Sequence, residues 1–148
     1  MKFGIIGGTG FIGSAFAKAV RKAGDIPVVV SRHVRSGSKD DVEYRRANAN
    51  DPRSLGKALA GCEVAVHAVW STTPGQSDMK PALDAQNILT TISIMEAAKK
   101  ADVETVIFLS SGGTVYGTPR IHPTPESHPE HPISPYGVAK LCAEKYVR

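Results

Sequence analysis

The chain has 148 residues, a length that suits one domain, and its formal net charge is +4. Its composition, with 41% hydrophobic and 22% charged residues, excludes an intrinsically disordered chain. Basic residues gather between residues 32 and 53, but acidic residues interrupt them, so the cluster is predicted to be either a solvated face or an anionic cofactor pocket. No aromatic series accompanies the basic residues, so nucleic-acid binding is not predicted. The basic members are Arg32, Arg35, Lys39, Arg45, Arg46 and Arg53, and the acidic ones are Asp40, Asp41, Glu43 and Asp51.

Short apolar runs alternate with helical patterns along the chain. Three of the apolar runs are almost continuous, which is typical of parallel strands that helices cover on both faces. The predicted strands span residues 2–7, 26–31, 42–46, 64–69 and 105–110. The predicted helices span residues 11–23, 52–60 and 81–101, and a last helix begins at residues 134–135. This alternation predicts the α/β class, with a doubly wound parallel sheet of about five strands.

A glycine cluster directly follows the first predicted strand. Gly7, Gly10 and Gly13 fit the pattern G-x-x-G-x-x-G, and a helical pattern begins at Phe11. Glycines permit a sharp turn and let backbone N–H groups approach a phosphate, while the helix N-terminus adds partial positive charge. The sequence therefore predicts a Rossmann-type dinucleotide site, in which Gly7, Gly10, Phe11, Ile12 and Gly13 contact the cofactor. An ordinary glycine-rich turn is the alternative.

The fourth predicted strand ends in polar residues. His67 lies within its apolar run and is predicted to be a packed, hydrogen-bonded core residue rather than a catalyst. Ser71, Thr72 and Thr73 follow the strand. Because ligands bind at the carboxyl ends of parallel strands, these three residues are predicted to line the cofactor or substrate pocket.

One long segment, residues 112–133, has no predicted helix or strand and contains five prolines. Long loops inside a compact domain are usually functional. The segment carries His122, His128 and His131, but no acidic or cysteine residue has the spacing of a further ligand, so no metal site is predicted.

Cysteine usage and hydropathy bear on the cellular compartment. Cys62 and Cys142 show no ligand spacing and are predicted to be reduced thiols of a cytoplasmic protein. No cationic leader precedes an apolar segment, and no apolar run is long enough to cross a bilayer. Neither a signal peptide nor a membrane span is predicted.

Near the end of the chain, Tyr136 and Lys140 are four residues apart and therefore share one face of the last predicted helix. A nearby ammonium favours the phenolate and lowers the pKa of a tyrosine, which makes the phenol usable as an acid or a base near neutral pH. The pair follows a dinucleotide turn and a serine-rich strand end, and this order predicts an acid–base pair rather than a chance spacing.

These segments together resemble the extended short-chain dehydrogenase/reductases, specifically the NAD-dependent epimerase/dehydratase group to which UDP-glucose 4-epimerase belongs. The resemblance rests on residues 7–13, 110–117 and 134–140, with residues 66–68 and Asn87. It implies a nicotinamide cofactor, a nucleotide-sugar substrate such as a UDP-sugar, and reversible hydride transfer at a sugar hydroxyl.

The resemblance also implies roles for individual residues. It implies that Tyr136 exchanges the proton of the sugar hydroxyl, and that Lys140 holds the nicotinamide ribose and lowers the pKa of the tyrosine. A serine or threonine hydroxyl should bond the same sugar oxygen, but this chain has Gly112 at the usual position. Ser111 is therefore the predicted hydroxyl, with Thr114 in reserve; the alternative is that Ser111 only caps a strand end. Asn87 matches a helix asparagine that supports the active site.

The choice between NAD and NADP depends on the end of the second predicted strand. NAD-specific members of the resembled group carry an acidic residue there, whereas this chain has Ser31 and Arg32, and an arginine can accommodate a 2′-phosphate. Asn48 stands where an aspartate near the adenine commonly follows the third strand. NADP is therefore slightly favoured over NAD. The alternative is that Arg32 lies over the adenine of NAD.

Members of the resembled group continue into a smaller substrate-binding domain. Residues 1–148 are therefore predicted to be the NAD(P)-binding Rossmann domain of a longer enzyme, without the C-terminal substrate domain and with the fifth strand at an unpaired sheet edge. The resemblance also implies a homodimer formed through helix 81–101 and the Tyr136 helix. Two other functions stay open: an NADP-dependent reductase of a non-sugar carbonyl, and a dinucleotide-binding module without turnover.

Overall fold

The computed structural model describes residues 1–33 and 42–148 of the chain. Its elements, in chain order, are β1 (Lys2–Ile6), α1 (Phe11–Lys22), β2 (Ile26–Ser31), β3 (Glu43–Arg46), α2 (Pro52–Leu59), β4 (Val64–His67), α3 (Pro74–Met79), α4 (Leu83–Lys100), β5 (Thr105–Phe108), α5 (Gly112–Val115) and α6 (Pro135–Val147). Four members of the charged cluster, Arg35, Lys39, Asp40 and Asp41, lie outside the described residues.

The five strands form one parallel sheet in the order β3-β2-β1-β4-β5. The chain proceeds from β1 outward to β3, then returns to the other side of β1 and continues outward through β4 to β5. This is the topology of a doubly wound sheet, and it confirms the predicted fold class. The strand order reverses between β1 and β4, and ligands of such sheets bind beyond the carboxyl ends of the strands at this point.

Both faces of the central strands are buried. Ile5 and Val29 belong to one apolar cluster, whereas Ile6, Val28 and Val30 belong to the other. Because successive side chains of a strand point to opposite faces, this division shows that apolar residues cover both sides of β1 and β2. The double burial explains why these strands are continuous apolar runs in the sequence.

The chain forms two compact units, which we call the sheet unit and the helical unit. The sheet unit comprises Met1–Val69 and Thr90–Leu109, and so contains all five strands. The helical unit comprises Trp70–Leu89 and Ser110–Arg148. Within the helical unit, α3 and α5 both pack against α6.

The sequence predictions were wrong at several element ends and for two short helices. β1, β4 and β5 end one or two residues earlier than predicted, and α4 begins at Leu83 rather than at residue 81. Neither α3 nor α5 was predicted, and α5 lies inside the segment expected to be irregular. Helices of six and four residues are too short to show apolar periodicity. A capping box between Thr73 and Gln76, with Pro74 at the first helical position, was the available signal for α3.

Candidate cofactor and acid–base sites

The glycine-rich turn connects β1 to α1 in the sheet unit. Gly7 has a φ of 85°, a left-handed conformation that side chains rarely adopt. A Cβ atom on Gly13 would overlap the carbonyl oxygen of Gly7, so only glycine lets the helix approach the turn this closely. Both glycines are therefore required by the backbone, as the sequence pattern predicted.

The first turn of α1 presents unpaired backbone donors beside this turn. Ser14 is the first residue whose N–H bonds back along the helix, to the carbonyl of Gly10 at 2.9 Å. The preceding N–H groups of Phe11, Ile12 and Gly13 have no intrahelical acceptor, and no side chain of the described residues caps this helix. Phe11 is 94% exposed, although it is apolar. The turn is thus a cradle of free donors at the positive end of a helix, which fits a pyrophosphate.

A second feature of the sheet unit is a pocket of 530 Å³ beside the carboxyl ends of β2 and β3. Its lining residues are Arg32, His33, Arg46, Ala47, Asn48 and Ser54. Arg32 and Asn48 were predicted to contact the cofactor, and the structure brings them together here. Ser31 does not line the pocket; its hydroxyl lies 3.2 Å from the hydroxyl of Thr9 in the glycine-rich turn.

Sequence reasoning missed two polar residues of this pocket, His33 and Ser54, and it placed Arg46 in the basic cluster without naming it as a cofactor contact. A signal for Arg46 was present, because Arg46 pairs in register with Ser31 at the ends of two neighbouring parallel strands. Carboxyl ends of adjacent parallel strands meet at one edge of a sheet, so Arg46 could have been named as a cofactor contact together with Arg32. The pocket lining among the described residues carries two arginines and no carboxylate.

The predicted acid–base pair lies on α6 in the helical unit. Ser134 caps this helix by accepting a hydrogen bond from the N–H of Gly137 at 3.1 Å. Lys140 is only 4% exposed, and its Nζ atom lies 3.8 Å from the centre of the Trp70 ring. The Tyr136 ring meets the same indole edge-on, with the ring centres 6.1 Å apart. Trp70 therefore contacts both members of the pair, a role that the sequence analysis did not assign.

The electrostatics of the pair differ from the sequence prediction. Burial, followed by the charge of Asp84, raises the pKa of Tyr136 above its ordinary value. Burial lowers the pKa of Lys140 to about 8, against the opposing charges of Asp84 and Glu144. The expectation that Lys140 lowers the pKa of Tyr136 was therefore wrong for this arrangement, because burial and the charge of Asp84 raise it. The Lys140 ammonium lies over the indole and 5.8 Å from the phenol ring centre.

A network of polar side chains lies at the start of α4. Asn87 accepts hydrogen bonds from the backbone N–H and the hydroxyl of Ser71, at 2.9 and 2.8 Å, and donates to the Thr72 hydroxyl. Thr72 in turn donates to Asp84 at 2.6 Å. Of the three residues predicted to line a pocket, Ser71 and Thr72 belong to this network and Thr73 caps α3. Thr72 is buried, and its hydroxyl serves the network.

Ser111 and His67 are the remaining residues that the sequence analysis considered. Ser111 stands at the N-cap of α5 without capping it through its side chain, and its carbonyl accepts a bond from the Thr114 hydroxyl. Its catalytic role stays a prediction. His67 is buried, lies 2.9 Å from the Thr91 hydroxyl and packs on the Phe108 ring, which confirms it as a core residue.

Neither a metal centre nor a membrane-crossing helix is present in residues 1–33 and 42–148. No group of three or more histidine, cysteine or acidic side chains in these ranges is arranged to hold a metal ion. None of their helices has both the length and the apolar character that crossing a bilayer requires. Cys62 and Cys142 are free thiols, and burial raises the pKa of Cys62.

The family, sequence and structure comparisons with known proteins agree with one another. The sequence matches the NAD-dependent epimerase/dehydratase family over residues 4–148. The UDP-glucose 4-epimerase of Mycolicibacterium smegmatis is 33% identical over 97% of this chain and 49% of its own length. The crystal structure of the Thermotoga maritima UDP-glucose 4-epimerase with UDP-glucose has a TM-score of 0.83 and 30% identity, over 99% of this chain and 50% of that one.

The Brucella ovis UDP-glucose 4-epimerase in complex with NAD has a TM-score of 0.86 at 30% identity, over 97% of this chain and 46% of that one. The fold and the glycine-rich turn define this protein as a Rossmann-type α/β protein. More particularly, the chain belongs to the NAD-dependent epimerase/dehydratase family. It spans about half the length of the curated relatives that it matches.

Proposed function

We propose that residues 1–148 form the NAD(P)-binding part of a longer sugar-nucleotide epimerase or dehydratase, with Tyr136 and Lys140 as its acid–base pair. The observation that carries this proposal is the placement of both side chains on one face of α6, around Trp70, in a chain of this family. A bound nicotinamide would supply the acceptor and donor of hydride. Relatives of similar sequence are UDP-glucose 4-epimerases, so the proposed substrate is a UDP-sugar.

The phenol of Tyr136 is proposed to move the proton that accompanies hydride transfer. In oxidation, the C–H hydrogen of the sugar leaves as hydride while the hydroxyl proton passes to the Tyr136 oxygen in its phenolate form. In reduction, the same oxygen returns the proton to the carbonyl. Because the pKa of Tyr136 is raised, the phenol is protonated at neutral pH and is ready for the reducing half of the cycle. Ser111 remains the proposed hydroxyl donor to the same oxygen.

NADP is proposed as the preferred cofactor. Arg32 and Arg46 both line the 530 Å³ pocket, together with His33, and Ser54 and Asn48 add neutral polar groups. A guanidinium pairs well with a phosphate in bidentate geometry, whereas the ribose hydroxyls of NAD would find no carboxylate acceptor among the described lining residues. The Brucella ovis relative named above is in complex with NAD, so a preference for NADP would distinguish this chain from that relative.

Parallel calorimetric titrations of the chain with NADP⁺ and NAD⁺ test this cofactor assignment. We expect tighter binding of NADP⁺. Arg46→Ala should weaken NADP⁺ binding by roughly 10-fold or more and change NAD⁺ binding little, because one charge-assisted phosphate contact is lost. Arg21→Ala, an exposed arginine at the far end of α1, is the matched control. Equal affinities for the two cofactors would overturn the NADP preference and leave the site assignment intact.

Turnover tests the acid–base assignment. With the cofactor and UDP-glucose added to the complete protein, turnover is measured as conversion of UDP-glucose to product by chromatography, because an epimerisation regenerates the oxidised cofactor. Tyr136→Phe should abolish this conversion and leave cofactor affinity nearly unchanged, since only the hydroxyl is removed. Conversion that survives the substitution would refute the role of Tyr136. Cofactor binding without any turnover in the complete protein would instead favour a dinucleotide-binding module.

A second candidate is an NADP-dependent reductase of a non-sugar carbonyl. Arg32 and Arg46 in the pocket of the sheet unit favour it, because two guanidinium groups suit the 2′-phosphate of NADP. Net oxidation of NADPH by small aldehydes or ketones, without any sugar nucleotide, would support this reading over the first.

A further inference from the structure

Asp84 lies at the centre of a buried network of polar side chains. Asp84 lies in the first turn of α4 and is 4% exposed. One of its carboxylate oxygens accepts hydrogen bonds from the Thr72 hydroxyl at 2.6 Å and from the Asn87 amide at 3.2 Å. The other oxygen is buried and accepts no hydrogen bond from the described residues. A carboxylate held in this way is costly unless its charge acts on a nearby group.

The network fixes the segment that carries Trp70. Asn87 bonds both the backbone N–H and the hydroxyl of Ser71, and Asp84 accepts from Thr72. Two consecutive residues are therefore anchored to α4 immediately after Trp70. The indole is held in this way against the Lys140 ammonium at 3.8 Å. Cation–π contacts of this kind favour the charged form of a lysine.

We propose that Asp84 is a positioning residue for the Tyr136–Lys140 pair, acting through the anchored Trp70–Thr72 segment and through its own buried negative charge. The role of the pair in catalysis rests on the proposed function, whereas the effect of Asp84 on Lys140 does not. Asp84 keeps the buried lysine protonated, and only a protonated lysine can hold ribose hydroxyls as a cation.

The charges that act on Lys140 support this role. Burial lowers the pKa of Lys140 to about 8, and Asp84 opposes this effect more strongly than Glu144 does. Asp84 also raises the pKa of Tyr136. Of the elements that pack against α6, α3 contributes only the exposed Asp78 as a titratable group and α5 contributes none.

The single tryptophan of the chain allows a direct test. Trp70 fluorescence should change with pH as Lys140 loses its proton, with a midpoint at about pH 8. Lys140→Met should abolish this transition, which would show that the transition reports the titration of Lys140. Asp84→Asn should move the midpoint down by roughly one pH unit, because the opposite charge is lost. Glu144→Gln, the matched control on α6, should move the midpoint down by a smaller amount.

Further variants separate positioning from mere stability. Asp84→Glu retains the charge and should restore a midpoint close to that of the unaltered chain. Thr72→Val keeps the carboxylate but removes the anchoring bond, and should reduce the amplitude of the transition because Trp70 is no longer held against the ammonium. If Asp84→Asn does not fold, by circular dichroism, the Thr72→Val amplitude decides.

Some results would overturn the proposal. A midpoint that stays unchanged or rises in Asp84→Asn would do so, as would an unaltered amplitude in Thr72→Val. The measurement needs neither cofactor nor substrate. A shifted midpoint in a chain that binds no cofactor would therefore uphold the effect of Asp84 and refute the proposed function alone.

Discussion

At the scale of single residues, Lys140 shows how a buried charge links stability to pH. The folded chain releases the Lys140 proton at about pH 8, whereas an exposed lysine releases it near 10.5. Between these two values the unfolded chain binds more protons than the folded one, so this group makes the free energy of unfolding rise with pH. Below about pH 8 the cost of the buried charge is fully present, at most about 3 kcal/mol.

We therefore predict that Lys140→Met removes this pH dependence and stabilises the chain at neutral pH, because an apolar side chain of similar length replaces a buried cation. Urea unfolding at about pH 7 and about pH 9.5 measures the difference. Lys145→Met changes an exposed lysine of the same helix and is the control. The same slope with pH in both variants would contradict the prediction.

Two glycine substitutions should have opposite effects. Gly13→Ala places a Cβ atom on the Gly7 carbonyl oxygen, and should destabilise the chain and abolish dinucleotide binding. Gly56 lies inside α2, and a Cβ atom there would meet only the Ala97 carbonyl at 3.9 Å. Gly56→Ala should therefore stabilise the chain by about 0.5–1 kcal/mol. Thermal unfolding and calorimetry with NADP⁺ check both results. A stable Gly13→Ala variant that binds NADP⁺ normally would refute the prediction that the glycine-rich turn holds the dinucleotide.

Residue types and spacing predicted part of the candidate site well. The glycines of the turn could be predicted because the turn requires a positive φ and close backbone contact, which only glycine allows. Arg32 and Asn48 could be predicted because they follow strand ends. Arg46 was listed only as a member of the basic cluster and Trp70 was given no role, because their places in the candidate sites depend on strand register and on side-chain packing. The direction of the Tyr136 pKa shift was predicted wrongly, because spacing on a helix does not reveal how deeply the phenol is buried or that Asp84 acts on it.

At the scale of elements, α6 depends on its first turn for the geometry of the acid–base pair. The Ser134 hydroxyl accepts from the Gly137 N–H, and Tyr136 lies within the turn that this bond closes. Ser134→Ala should cost about 1 kcal/mol and loosen Tyr136 against Trp70. Chemical unfolding measures the first effect, and Trp70 fluorescence measures the second.

A conservative replacement controls for the cap. Ser134→Asp keeps a side-chain acceptor and should retain most of the stability, because aspartate is also a good N-cap residue. An equal loss in both variants would show that the hydroxyl acts through another contact. Thr9→Ala, which removes an exposed hydroxyl of the sheet unit, should leave Trp70 fluorescence unchanged.

The long elements were predictable and the short ones were not. β1, β2 and α1 combine a continuous apolar run or a helical face with clear terminal signals, so their existence and type followed from the sequence. In contrast, α3 and α5 have too few residues for a periodic pattern and depend on capping and on packing against α6. Tertiary contacts decide such elements, and a single sequence does not display them.

At the scale of the whole molecule, exposed apolar side chains bear on self-association. Leu89 on α4 is 57% exposed and Val138 on α6 is 55% exposed. The resemblance implies a homodimer through these two helices, and we predict on that basis that the chain is a homodimer in solution. Apolar side chains that are exposed in one copy would be covered by the other.

The dimer prediction is tested by changing both residues together. Leu89→Lys combined with Val138→Lys should yield a monomer, because two charges would have to be buried in the contact. Ile121→Lys is the matched control: this isoleucine is 58% exposed but lies outside both helices, and its replacement should leave the dimer intact. Sedimentation velocity gives the mass in each case. A monomeric unaltered chain, or equal dissociation in both variants, would refute the prediction that α4 and α6 form a dimer contact through these two residues.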